Sequence, residues 1–298
     1  MKIFYTAKKF GKTALAVIDH ANHIISEYAS QGYDLTLRQL YYQFVSRDLI
    51  ANNDKEYKRL GNIISDARRA GLVDWDSIVD RTRYLRKSPA WESPQEIVAA
   101  CAEQFDIDWW ASQSIRPEVW IEKDALIGVL EVACRQWHIP YFSCRGYVSD
   151  SEIWAAAQRM AKWIDQGQHP IVLHLGDHDP SGIDMSRDIA DRLNLFARNE
   201  IDVRRIALTM PQIDEYQPPP NPAKITDARF QSYQETYGDE SWELDALNPE
   251  TIANLITDNV QPLIDRKAWT AADKKRTTGR GQLQQISQLW DKAIKATQ

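Results

Sequence analysis

The stretch that most narrows what this chain can become is Ile171-Val-Leu-His-Leu-Gly-Asp-His-Asp-Pro-Ser-Gly-Ile-Asp-Met185. An apolar run of strand length ends on two aspartates, Asp177 and Asp179, and a Pro-Ser-Gly turn then opens a helical pattern. Alternate residues of an extended segment project to the same side, so both carboxylates can face one cation, with His178 between them pointing away. In an open α/β sheet the carboxyl end of a strand is where ligands bind. The spacing also partly matches a calcium loop. A strand rather than a helix precedes it, Pro180 intrudes and the closing Glu is missing, which argues against that reading.

Strand and helix patterns alternate around this stretch. Val119–Glu122 reads as a strand, 124–137 as a helix, 141–144 as a strand and 150–166 as a helix. Ile171–Leu175 is a strand, 182–198 a helix and Val203–Met210 a strand. Such alternation predicts an α/β domain with a mostly parallel sheet covered on both faces. Residues 217–222 (Gln-Pro-Pro-Pro-Asn-Pro) can only be an extended loop. The tail from Asn248 is predicted to be helical, with a break near Thr277–Gly281.

The front of the chain has a different grain. Residues 12–30 form an amphipathic helix stopped at Gly32, a second helix starts behind the cap Thr36, and a third covers 55–70 before Gly71. On the third helix Leu60, Ile63, Ile64 and Ala67 share one arc, while Lys55, Lys58, Arg59, Asn62 and Arg69 occupy another. Three helices followed by a basic segment carrying Arg81 and Arg83 predict a helix-turn-helix unit with a basic wing, a winged helix that lays its third helix on DNA. Ser88–Pro94, with two prolines, is the expected boundary. The domains are thus 1–88, a linker with a short helix over 94–110 (89–112), and 113–298.

Charge follows the same division: residues 1–90 hold 15 Lys+Arg against 10 Asp+Glu, and the remainder holds 21 against 32. A basic front and an acidic back suit an enzyme that grips a polyanion with one part and a metal with the other. No apolar run reaches the length of a membrane span and the N-terminus lacks a signal-peptide core, so no membrane partner is expected. Three cysteines without metal spacing predict reduced thiols and a cytoplasmic, DNA-associated location.

Two further sets of residues complete the candidate site. Glu122 ends an apolar strand, where an unpartnered carboxylate is costly; a metal resolves that, as does a salt bridge to Lys123 or an arginine. Glu122, Asp177 and Asp179, brought together by a parallel sheet, would make a hard-oxygen site suited to Mg²⁺, or to Mn²⁺ in its place. On the second helix Leu37, Leu40, Tyr41, Phe44 and Val45 form the apolar stripe, whereas Tyr42 lies at its margin one turn after Arg38. A guanidinium there favours the phenolate and can hold a phosphate, as a tyrosine attacking a phosphodiester requires. The same position serves equally as a stripe-margin structural tyrosine. No Gly-rich phosphate loop or Gly-x-Ser-x-Gly elbow occurs.

These residues resemble a known pattern. Ile-Glu122 followed by Gly-Asp177-His-Asp179-Pro-Ser-Gly182 resembles the Toprim domain, in the form found in the A-type, DNA-cleaving component of topoisomerase VI. Thr36-Leu-Arg38-Gln-Leu-Tyr41-Tyr42 is similar to the tyrosine motif of that component and of the meiotic double-strand-break transesterase, and Trp242–Leu247 resembles their Glu-Leu-Glu-Ala-Leu run. Gln39 stands where the motif usually has aspartate, and the chain is short, closest in layout to the plasmid- and phage-borne "mini-A" proteins. The resemblance implies a winged helix followed by Toprim, with Tyr42 as nucleophile, Arg38 on the phosphate, Asp177 and Asp179 on the metal, and Glu122 as ligand or proton donor. It implies a homodimer acting on double-stranded DNA, each tyrosine served by the partner's metal, with a separate ATPase subunit for strand passage. Two other readings stay open: a Toprim nuclease that cuts with water, as in the nuclease of Wadjet-type plasmid defence, and a non-catalytic DNA-binding adaptor.

Overall fold

A computed structural model describes residues 1–80 and 88–290. Its centre is a four-stranded, wholly parallel sheet in the order β2-β1-β3-β4, built from β1 (Ile115–Ile121), β2 (Tyr141–Ser143), β3 (His169–Leu175) and β4 (Asp202–Ala207). Register puts Ile121 beside both Ser143 and Leu175, and Leu175 beside Ala207. The strands therefore end level, and the residues just after them share one rim.

Side-chain alternation decides which helix covers which face. Val119, Ile121, Ile171, Leu173 and Leu175 point to the side packed by α5 (Ile127–Gln136) and α10 (Pro249–Val260), where Leu130, Ile252 and Ile256 close the core. Trp120 and Val172 point the other way, against α6 (Asp150–Asp165) and α7 (Pro180–Ala197), through Ile153, Met160, Ile189 and Leu193. The α/β fold with a mostly parallel, doubly covered sheet is as the alternation predicted. The fourth strand stops at Ala207 rather than Met210, because Thr209 and Gln212 form a capping box that starts α8 (Met210–Tyr216).

The N-terminal part gathers three helices, α1 (Lys12–Ser30), α2 (Leu37–Ser46) and α3 (Asp54–Arg69), around a second core that Ala246 also joins. Ile18, Ala21, Ile24, Tyr28, Leu40, Phe44, Leu60, Ile64 and Ala67 make its core, and the predicted apolar arc of α3 is the face that is buried. Thr36 caps α2 by accepting from the Gln39 N–H at 3.2 Å while its own N–H donates to Gln39 Oε1 at 2.9 Å. Gln39 thus takes the reciprocal role in a capping box. The basic wing expected over 81–87, with Arg81 and Arg83, lies outside the described residues.

Beyond the boundary, α4 (Pro94–Gln104) is shorter than the predicted 94–110. Asp106 accepts from the Ile107 N–H at 2.9 Å and from Trp109 Nε1 at 2.8 Å, turning the chain out of helix. After α8 come the short antiparallel pair β5 (Asn221–Pro222) and β6 (Glu240–Ser241), with α9 (Phe230–Tyr237) between them and a single 3-10 turn, Leu244–Ala246, following. The expected break near Thr277–Gly281 is absent: α11 (Arg266–Gln288) runs straight through. A Cβ on Gly279 would sit 2.4 Å from the Phe105 ring, so this glycine lets α11 approach the end of α4 instead of breaking the helix. Among the described residues, no helix is long and apolar enough to cross a membrane.

Candidate functional site

The rim made by the level strand ends carries the chemistry. After β1 come Glu122 and Lys123; after β3 comes the loop Gly176–Asp179, which feeds α7. A third strip reaches the rim from far along the chain. His178 and Trp242 exchange backbone hydrogen bonds, His178 N–H to Trp242 O at 2.8 Å and Trp242 N–H to His178 O at 3.0 Å. That bridge fixes residues 242–245 against the β3–α7 loop. A fourth contributor is α2, which packs on the 3-10 turn and presents Arg38 and Tyr42.

Where these strips meet, carboxylate oxygens of Asp177, Glu243 and Asp245 gather within 4.8 Å of one another. Asp177 is almost wholly buried; its Oδ1 accepts the Leu244 N–H at 2.8 Å and its Oδ2 lies 2.9 Å from Lys123 Nζ. Asp245 has no exposed side-chain surface, with Oδ1 3.0 Å from Lys123 Nζ and Oδ2 3.2 Å from Arg38 Nε. That last contact is out of line for a hydrogen bond, so Asp245 Oδ2 has no hydrogen-bond partner. Glu243 pairs with Lys123 and, at 2.9 Å, with Arg38 Nη2. Hard carboxylate oxygens in a buried cluster are the donor set of a hard cation, and this triad can hold a metal ion.

Electrostatics follow from burial and pairing. Burial pushes the Asp177 carboxyl up to about 8 against the pull of Lys123, with Glu122, Asp245 and Glu243 adding to the rise. Burial also raises Glu243, but Lys123 and Arg38 overcome it and hold that carboxyl at about 2. For Lys123, burial works downward, yet Asp177, Asp245 and Glu243 together keep the ammonium well above its ordinary range.

The predicted residues are partly assembled as expected. Arg38, Tyr42, Asp177 and Asp179 all line one cleft of about 400 Å³, with Tyr41, Tyr57 and Trp242 supplying aromatic wall. Within it Asp179 serves as the N-cap of α7: its Oδ1 accepts the Gly182 N–H at 2.6 Å and the Ser181 hydroxyl at 3.0 Å. Glu122 lies beneath the loop, where its Oε2 accepts the Asp177 N–H at 2.9 Å; burial, then Asp179's charge, raises its pKa, opposed by that hydrogen bond and Lys123. Of the expected trio, the metal-capable cluster therefore contains Asp177, with Glu243 and Asp245 in place of the other two. Lys123, with an arginine the alternative partner for Glu122, pairs with that triad instead.

Tyr42 is only 4% exposed. Its hydroxyl receives a long hydrogen bond from Arg38 Nη2 at 3.4 Å, and the same Nη2 reaches Glu243 at 2.9 Å. Arg38 pulls toward the phenolate as expected, but it is outweighed. Burial, with Asp245 and Glu243 behind it, raises the phenol's pKa despite Arg38, whose charge those two acids already engage. On α3, Lys55, Lys58, Asn62 and Arg69 are exposed, while Arg59 is tied to Glu56 on its own helix at 2.8 Å. The N-terminal end of α3, through Asp54 and Tyr57, borders the cleft.

Sequence reasoning passed over four of these residues as site residues: Lys123, Arg205, Glu243 and Asp245. Glu243 and Asp245 did carry a signal, since they alternate with Trp242, Leu244 and Ala246 just as Asp177 and Asp179 alternate with their neighbours. Arg205 reads as an ordinary strand cation. Its guanidinium nevertheless braces the β3–α7 loop by donating to Gly182 O and Gly176 O, each at 2.9 Å, and to Asp177 O. Comparison of the chain with protein-family models and with curated proteins finds no match.

Proposed function

We propose that this chain is a metal-dependent DNA-cleaving transesterase, a winged helix joined to a Toprim-like domain, in which Tyr42 attacks a backbone phosphate. The observation that carries the reading is that a tyrosine, an arginine and two members of a metal-capable acid triad, Asp177 and Glu243, line one cleft although they come from separate stretches of chain, with Asp245 buried behind them. In the proposed step the Tyr42 oxygen bonds to phosphorus and the bond to the 3′ oxygen breaks. The phenolic proton passes to water in the cleft, and the leaving 3′ oxygen takes a proton from solvent. The product is a tyrosine joined to a DNA 5′ end. Arg38 orients the phosphate beside the phenol. A divalent cation such as Mg²⁺ or Mn²⁺, held by Asp177, Glu243 and Asp245, would neutralise charge that builds on the phosphate.

Because Tyr42 meets the triad within one chain, the proposal pairs each phenol with its own carboxylates. A homodimer then enters to cut both strands, one tyrosine per strand, and strand passage would call on a separate ATPase subunit. The exposed cations of α3, Lys55, Lys58 and Arg69 with Asn62, are the proposed DNA grip. Replacing Lys58 and Arg59 by alanine should weaken binding at every sequence and lower the slope of log K against log salt by about 1 to 2, one for each phosphate no longer neutralised.

A second reading, hydrolysis by a metal-bound site without a covalent link, is favoured by one observation: the Tyr42 phenol is buried and held more firmly protonated than usual. The deciding experiment incubates internally labelled supercoiled plasmid with the protein and Mg²⁺ or Mn²⁺, then runs SDS gels with and without proteinase K. Labelled fragments retarded by protein and released by protease, lost in Tyr42→Phe, support the transesterase. Free ends that persist in Tyr42→Phe support hydrolysis. DNA binding with no cutting under either metal supports the adaptor.

A further inference from the structure

Lys123 occupies an unusual position. It directly follows Glu122 at the end of β1, its side chain is 18% exposed, and its ammonium touches all three members of the acid triad. The distances are 2.9 Å to Asp177 Oδ2 and 3.0 Å to Asp245 Oδ1, with Glu243 Oε2 in contact as well. These are the same three residues whose oxygens converge on a common point. A metal ion drawn to that point meets a cation already there, and two cations cannot share one set of oxygens without strong repulsion.

Charge arithmetic separates the two ways out. With all three acids ionised, as metal binding requires, their charge against Lys123 and Arg38 leaves the cluster one negative charge. A divalent ion added beside both cations overshoots to one positive charge in a buried place, whereas one that replaces Lys123 brings the cluster to neutrality. Buried charge is costly unless balanced, so the second arrangement wins. The lysine stem makes replacement feasible, since four flexible methylenes let the ammonium swing to water without moving the backbone. We infer that Lys123 is the resident cation of the Asp177–Glu243–Asp245 cluster, and that a divalent metal binds by expelling its ammonium.

In the metal-free chain Lys123 is a positioning residue: it holds the three acids together, so that the oxygens are in place when a metal arrives. The inference rests on the metal reading of the triad given above, and on no assumption about DNA. Two measurements without DNA test it, using Mn²⁺ alone as the probe. In the first, calorimetry compares the unaltered chain with Lys123→Met. Removing the competing charge should tighten Mn²⁺ binding by at least about 10-fold, the modest end of what one unit charge at about 4 Å exerts. In the second, the unaltered chain is treated with an amine-acetylating reagent and the Lys123 peptide is followed by mass spectrometry. Saturating Mn²⁺ should speed acetylation of Lys123 several-fold, because expulsion frees the amine.

Equal or weaker Mn²⁺ binding in Lys123→Met, or acetylation unchanged or slowed by Mn²⁺, overturns the inference while leaving the metal reading intact. Absence of Mn²⁺ binding in both proteins removes the metal reading and this inference together. If Lys123→Met fails to fold, the acetylation experiment decides alone.

Discussion

Two pairs of acids with the same one-residue spacing meet at the rim of this sheet, and they behave differently. Asp177 and Asp179 stand at a strand end and announce themselves; only Asp177 joins the triad, while Asp179 turns back to cap α7. Glu243 stands between a two-residue strand and a 3-10 turn, and Asp245 lies within that turn, yet both belong to the cluster. Spacing says which side chains leave an extended chain in one direction. It does not say which of them the neighbouring backbone will claim. The helix start behind Asp179 offers free N–H groups and takes its carboxylate. The 3-10 turn behind Glu243 has no such claim on it, and Lys123 and Arg38 draw both acids of that pair inward.

The sharpest way to break this comparison is Asp245→Ala. Its side chain is fully buried between two cations, so removal should cost about 3 to 5 kcal/mol, the range for breaking a buried ion pair, and should abolish Mn²⁺ binding. Urea unfolding and calorimetry read both effects; intact Mn²⁺ binding would return the site to the Asp177–Asp179 pair. Next in size is Gly182→Ala. A Cβ there would lie 2.2 Å from Asp177 O, so the loop must move, at a cost of about 1 to 3 kcal/mol and with weaker Mn²⁺ binding. Asp179→Ala should cost about 1 kcal/mol, the value of a lost N-cap, and leave Mn²⁺ affinity unchanged. Loss of Mn²⁺ binding in that variant is the result that would erase the distinction between the pairs.

A difference in pH response tests the comparison without any metal in the cluster. Asp177 is raised to about 8 in the folded chain, above its ordinary value, so the native state holds a proton that the unfolded chain has released. Its contribution to stability is full below about 4 and is lost as pH rises through about 8. Glu243, lowered to about 2, does the reverse: its contribution is present above the ordinary carboxylate range and is lost as pH falls through about 2. In metal-free buffer the urea midpoint should fall as pH rises through about 8, and Asp177→Asn should flatten that decline. An unchanged slope in the variant would assign the decline to other groups.

Much of the scaffold was legible because it follows from periodicity. Each of the four sheet strands and the helices between them overlaps the stretch that alternation and amphipathic stripes assigned, with ends off by up to four residues, and the buried arc of α3 matches Leu60, Ile64 and Ala67. The errors came from side chains acting at a distance. Gly279 looked like a helix breaker and is a contact point for Phe105; Asp106 ended α4 early by accepting from Trp109. Tyr42 was readable as lying beside Arg38, but the acids that recruit Arg38 and hold the phenol protonated come from about 200 positions later in the chain. No local pattern reveals such a partner. The alternation in Trp242–Leu247 was visible, and assigning it a direction required the bridge from His178 to Trp242.

That bridge has a consequence for the chain as it is made. Arg38 emerges 205 residues before the Glu243 it pairs with, and Asp177 is 67 residues ahead of the Leu244 amide that orients it. At roughly 5 to 20 residues per second, the α1–α3 cluster has ample time to fold before the last strip of the rim leaves the ribosome. A truncated or half-synthesised chain can therefore hold a folded front without the acid triad. For the cleavage proposed above, the order of synthesis is itself a safeguard: the grip is finished first, and the blade is completed only near the end.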